Sequence, residues 1–149
     1  MSAGRTIILF FLFLGLTIIL HETGHLLVAR WLGYSANVYY GFLFPNISGY
    51  VTVEPPVTNP LHALLIYCAG GIGAGTVMLI LWLTVVDPVV QHLMSFFSVN
   101  QLSYGILEPL YGFGLVPKSV LENIPVVTGI IGLMLFRLIY IRRYQRRLI

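Results

Sequence analysis

Charge is scarce in this chain: 9% of its 149 residues are Asp, Glu, Lys or Arg, against about a quarter in a soluble domain. That scarcity excludes an ordinary water-soluble surface. A single cysteine, Cys68, excludes an intrachain disulfide. Within its apolar run it reads as a small packed residue rather than a reactive thiol. No repeat is visible at the roughly 20–50-residue periods of solenoids, and no polar block is long enough for a separate soluble domain. The basic residues lie beside hydrophobic runs and not on a folded polar surface, which excludes a nucleic-acid partner.

What remains is apolar. Hydrophobic residues make up 58% of the chain and the mean hydropathy is +0.90. Several runs reach the roughly 17–25 residues that cross a bilayer. The expectation is an all-α, multi-pass integral membrane protein, one domain over 1–149, with about four transmembrane helices. Their spans fall at about 6–31, 61–86, 89–115 and 124–141. The apolar stretch after Arg5 could pass for a signal peptide, but it runs on without a small-residue cleavage site and reads as the first span.

Residues 32–60 differ in kind, with Tyr34, Tyr39, Tyr40, Phe42, Phe44 and Tyr50 punctuated by Gly41, Pro45 and Gly49. They form either a short β-hairpin, from Val38 to Phe44 and Gly49 to Val53 about Pro45-Asn46, or a membrane-associated loop. Asn46-Ile47-Ser48 fits a glycosylation sequon, a pattern common by chance. In the second span Gly71 and Gly75 form G-x-x-x-G, which lets helix backbones approach closely; the first helix is the expected partner. The third span carries Gln91, His92, Ser95, Ser98, Asn100, Gln101, Ser103 and Glu108, too many polar groups to face lipid. Gly105 and Pro109 predict a break in that helix beside Glu108, opening a cavity. Pro125 marks the start of the fourth span, with Asn123 as its cap. Residues 142–149 form a basic tail, which the excess of arginine places in the cytoplasm.

The first span contains His21-Glu22-Thr23-Gly24-His25. H-E-x-x-H on a helix sets two imidazoles one turn apart on one face. Such groups are costly in hydrocarbon, so their presence points to a site. A catalytic zinc takes three protein ligands and leaves one position open. His21 and His25 supply two, and Glu22 is placed to act as general base. The third ligand comes from Glu54, Asp87, Glu108, Glu122, His62 or His92. Glu108 is favoured as the one acidic residue in the interior of a later span.

With these motifs in view, the chain resembles the site-2 protease family of intramembrane zinc metalloproteases over roughly residues 7–115. His21-Glu22-x-Gly24-His25 followed by Leu26-Leu27-Val28-Ala29-Arg30 is similar to that family's first motif. Ser48-Gly49-Tyr50-Val51 resembles its hairpin strand. Ala69-Gly70-Gly71-x-Gly73-Ala74 resembles its small-residue stretch, with Gly71 where proline is usual. In the last motif, N-x-x-P-x-x-x-x-D-G, Asn100 fits the start and Glu108 falls on the aspartate. Ser103 stands for the proline and Pro109 for the glycine. The resemblance implies Zn²⁺ held by His21, His25 and Glu108, with Glu22 moving the proton. It implies Asn100 bonding the substrate main chain or the developing oxyanion, and a transmembrane protein as substrate. The alternative is a non-catalytic membrane protein of the same fold that binds zinc or a partner. Four spans would set the HExxH end of the first helix near the outer face, whereas that family's sites lie nearer the cytosol.

Overall fold

Two prolines set where the second and third helices begin. The computed structural model describes residues 3–43 and 46–145. Asn59 precedes Pro60 and Asp87 precedes Pro88, and each side chain accepts from two backbone N–H groups of the turn that follows. A polar cap followed by proline at the first helical position is a strong start signal, since proline lacks a donor that would be orphaned there anyway. The element order is α1 (Ala3–Trp31), β1 (Ser35–Leu43), β2 (Asn46–Glu54), α2 (Pro60–Thr84), α3 (Pro88–Gly112) and α4 (Lys118–Gln145).

The hairpin, and not the loop, is realised. β1 and β2 pair antiparallel from Ser35↔Glu54 to Leu43↔Asn46, and the Tyr39 and Tyr50 rings stack across the strands. The turn residues Phe44 and Pro45, and residues 146–149 of the basic tail, lie outside the described residues, as does the side chain of Asn46 in the sequon.

α1, α2 and the 118–138 part of α4 are long and apolar enough to cross a membrane; α3 is not among them. Apolar side chains stand exposed on several sides of α1, among them Ile7, Ile8, Phe11, Leu12 and Leu27. α3 turns its polar groups inward, as expected: Ser95, Ser98, Asn100 and Gln101 are buried. Its serines satisfy themselves locally, Ser95 on the His92 carbonyl, Ser98 on the Ser95 carbonyl and Ser103 on the Val99 carbonyl.

Two expectations about helix limits are corrected. α3 is continuous and carries Pro109 inside it. That proline lies within the last turn, where one missing N–H forfeits a single bond, and Phe113 N–H still closes on the Pro109 carbonyl. α4 begins at Lys118, well before Pro125. Asn123 is no cap: its Nδ2 donates to the Ser119 carbonyl within the helix.

Glycines bring the helices together. A β-carbon on Gly24 of α1 would lie 2.5 Å from the Ala69 carbonyl oxygen of α2. The Gly71/Gly75 face of α2 packs instead on α3, against Gly105 and Leu102. The G-x-x-x-G therefore seats the helix bearing Glu108, not the helix bearing the histidines. The reason is geometric: Gly70 already serves α1, and the adjacent Gly71 points a full 100° around the helix.

Two apolar clusters bracket α1. Met78, Val89, Leu93, Met94 and Phe97 pack with Leu9, Phe10, Phe13, Leu14 and Leu20 toward its start. Ala29, Ala36 and Ile66 pack with Leu26, Leu32, Val51 and Val53 toward its end. Residues 21–25 lie in the gap between them.

Candidate metal centre

His21 and His25 are one turn apart, so both rings leave the same side of α1. Their Nε2 atoms are 3.0 Å from each other. α3 brings Glu108 against them, with Oε2 3.2 Å from His21 Nε2 and Oε1 3.2 Å from His25 Nε2. Among the described residues these three form the group of donors able to hold a metal ion.

The hydrogen bonds behind the rings decide what the Nε2 atoms present. His25 Nδ1 lies 2.6 Å from the Ile66 carbonyl of α2. A carbonyl only accepts, so Nδ1 carries the proton and a neutral ring turns its Nε2 lone pair to the centre. His21 Nδ1 donates in the same way to Gln101 Oε1 at 2.7 Å. Two imidazole lone pairs and a carboxylate thus point at one another. Glu108 Oε2 is buried and makes no hydrogen bond. Four acceptors converging in a buried space repel unless a metal cation or a proton sits among them.

Gly70 makes the His25 contact possible. A β-carbon there would overlap the imidazole, whose Nε2, Cε1 and Cδ2 atoms occupy its place. The ring reaches the Ile66 carbonyl through that missing side chain.

Glu22 is buried and lines a cavity of about 410 Å³ together with His25 and Glu108. The opposite walls are apolar, from Val51 and Val53 of β2, Val57, and Ala63, Ile66 and Tyr67 of α2. Gly49 of β2 lies over the carboxylate arm of Glu22. The cavity arises where the hairpin, α1, α2 and the end of α3 meet, with α3 unbroken.

The remaining ligand candidates lie elsewhere. Asp87 caps α3 and pairs with Arg5, and Glu122 pairs with Lys118 one turn away. His62 bonds the Tyr34 hydroxyl, and His92 bonds the Pro88 carbonyl. Glu54 is exposed at the end of the hairpin, opposite Ser35. Asn100 is buried, and its Oδ1 accepts from Gln101 Nε2 at 3.2 Å. Sequence reasoning overlooked Gln101 and the Ile66 carbonyl as ring partners. Gln101 precedes Glu108 by two helical turns, so the two share a face of α3, and that spacing was the available signal. A backbone carbonyl leaves no signal in sequence.

Comparison of the chain with family models, curated proteins and solved structures finds no match in any of the three.

Proposed function

We propose that this protein is an intramembrane zinc metalloprotease that hydrolyses a peptide bond in or near a transmembrane segment of a membrane-protein substrate. One observation carries the reading: the convergence of His21 Nε2, His25 Nε2 and the Glu108 carboxylate at the edge of a cavity that Glu22, His25 and Glu108 line. Ligand atoms about 2.0–2.2 Å from a tetrahedral zinc lie about 3.3–3.5 Å apart. The separations of 3.0 and 3.2 Å here are close to that. Two neutral imidazoles with one carboxylate are a donor set that suits catalytic zinc and leaves a fourth position free. The likeness of residues 21–30 to the first motif of the site-2 protease family supports the same reading.

When bound, zinc supplies Lewis acidity, polarising the scissile carbonyl and acidifying a water. The chain does the rest. Glu22 takes the proton of the attacking water and delivers it to the leaving amine. The backbone of β2 beside Gly49 and Tyr50 offers an edge on which an unwound substrate strand can pair. The Val51, Val53, Ile66 and Tyr67 wall takes its apolar side chains. Asn100 is the side chain proposed for the substrate main chain or the oxyanion, and reaching it requires release of its bond to Gln101.

The bilayer is the setting. α2 and α3 are joined by three residues and run antiparallel in contact, so α3 crosses with α2 as a fourth span shielded by its neighbours. The C-terminal arginines set the tail in the cytoplasm.

The test is zinc per chain in detergent-purified protein, for wild type, His25→Ala and Glu108→Ala. About one zinc in wild type, lost in both variants, is the expected outcome; wild type without zinc overturns the reading. Glu22→Gln then separates catalysis from binding. It should keep zinc and lose at least about 10²-fold in cleavage of a transmembrane substrate in proteoliposomes. Unchanged function in Glu22→Gln would make the chain a non-catalytic binding protein.

A further inference from the structure

Gln101 touches neither the cavity nor the carboxylate, yet it fixes one of the two rings. His21 turns both nitrogens to α3: Nδ1 donates to Gln101 Oε1 at 2.7 Å, and Nε2 lies 3.2 Å from Glu108 Oε2. The two α3 residues are about 10 Å apart along the helix axis, a span that the imidazole with its two contacts bridges. Gln101 is in turn oriented. Its Nε2 donates to Asn100 Oδ1, which leaves Oε1 as the atom facing His21. Gln101 and Asn100 are both 8% exposed, so water does not readily replace either contact. Tyr104, on the same face of α3, sets its ring edge-on to His21 with centroids 5.8 Å apart.

We infer that Gln101 is a positioning residue for the metal centre, holding His21 in the Nδ1–H tautomer so that its Nε2 lone pair is aimed at the ion, with Asn100 locking the Gln101 amide. The inference rests on the zinc reading of the preceding subsection. The two histidines are served differently: His25 is aligned by a main-chain carbonyl, which no substitution removes, and His21 by a side chain. An outer hydrogen bond of this kind fixes both the tautomer and the ring plane of a ligand, and its loss costs 10–100-fold in metal affinity. Asn100 accordingly has a structural partner in the absence of substrate.

The experiment uses the full chain in detergent, with Gln101→Met as a deletion of similar length without an acceptor, and Gln101→Glu as a rescue that can only accept. Zn²⁺ affinity is measured by competition with a chromophoric chelator, and ligand geometry by the visible absorption of the Co²⁺-loaded protein. Thermal unfolding of chelator-treated protein serves as the folding control. Gln101→Met should bind Zn²⁺ 10–100-fold more weakly and change the Co²⁺ spectrum. Gln101→Glu should return both to wild type. Wild-type affinity and spectrum in Gln101→Met overturn the inference while leaving the zinc site standing. So does a Gln101→Glu protein as weak as Gln101→Met. A wild-type chain that binds neither ion overturns the zinc reading and this inference with it. If Gln101→Met fails to fold, Asn100→Leu, which frees the amide to turn, carries the same expectation of weakened binding, and unchanged affinity there overturns it.

Discussion

Gly49 and Glu22 are in contact across the hairpin and the first helix: a β-carbon on Gly49 would lie 2.5 Å from Glu22 Cγ and 3.2 Å from its Oε1. The strand thereby sets the position of the proposed proton carrier. Gly49→Ala should push the carboxylate off its line while leaving His21, His25 and Glu108 untouched. Misplacement by about 1 Å costs on the order of 10²-fold in rate. The expected result is one zinc per chain with cleavage reduced by about that factor. Cleavage at the wild-type rate would show that the strand does not constrain Glu22.

Gly70→Ala carries the opposite signature. The methyl group takes the place of the His25 imidazole, so the ring must leave the Ile66 carbonyl. Zinc binding should be lost, with overpacking costing about 1–3 kcal/mol of stability. Gly73→Ala is the matched control, because nothing lies within 4 Å of a β-carbon there. It should keep its zinc and gain up to about 1 kcal/mol from better helix propensity. Equal zinc content in the two variants would contradict the role assigned to Gly70.

Removing the ion should destabilise the fold. A ligand that binds only the native chain stabilises it by about 4 kcal/mol at a thousandfold excess over Kd. Treatment with a chelator should therefore lower the Tm in detergent, and added Zn²⁺ should restore it. Glu108→Ala protein should melt at one temperature with or without chelator. A chelator effect of equal size in that variant would place the stabilising ion elsewhere.

At the far end of the bundle the pH dependence belongs to Asp87. The Val90 N–H, and next the Arg5 side chain, hold its carboxyl below the ordinary aspartate range. A depressed folded value means that its contribution is present above the ordinary value and is lost as pH falls through the depressed one. Asp87→Ala should have a lower Tm than wild type at pH 7. The gap should narrow as the pH drops below about 4, the ordinary aspartate value. The group is exposed, so salt should shrink the Arg5 part of the effect. A gap that stays constant down to pH 2 would count against the charge as its cause.

Much of this architecture was legible in the residues. The apolar run before His21, the aromatic stretch over 32–60 and the small-residue second span each correspond to an element. H-E-x-x-H needed only helical periodicity to put two rings on one side. Glu108 could be chosen because charge inside an apolar helix is so rare that one carboxylate stood out. The limits of α3 and α4 were misread because Pro109 and Pro125 were given the weight they have in an isolated helix. Within packed helices each costs one hydrogen bond, and neighbouring contacts outweigh it. The partner of Gly71 and Gly75 was likewise out of reach, since small residues report that something approaches and not which helix. Gln101 was one polar residue among eight in its span until the ring of His21 gave it a task.

The donors of this centre are far apart in order of manufacture. His21 and Gln101, which orients it, are separated by 80 residues, and Glu108 comes later still. At synthesis rates of about 5–20 residues per second, α3 leaves the ribosome roughly 4–16 s after the histidines. During that interval α1 can hold its imidazoles against at most the hairpin and α2, with Glu108 not yet made. On the proposed zinc reading, loading therefore waits until the third helix has been made. A chain arrested before Glu108 carries the motif without the proposed third ligand.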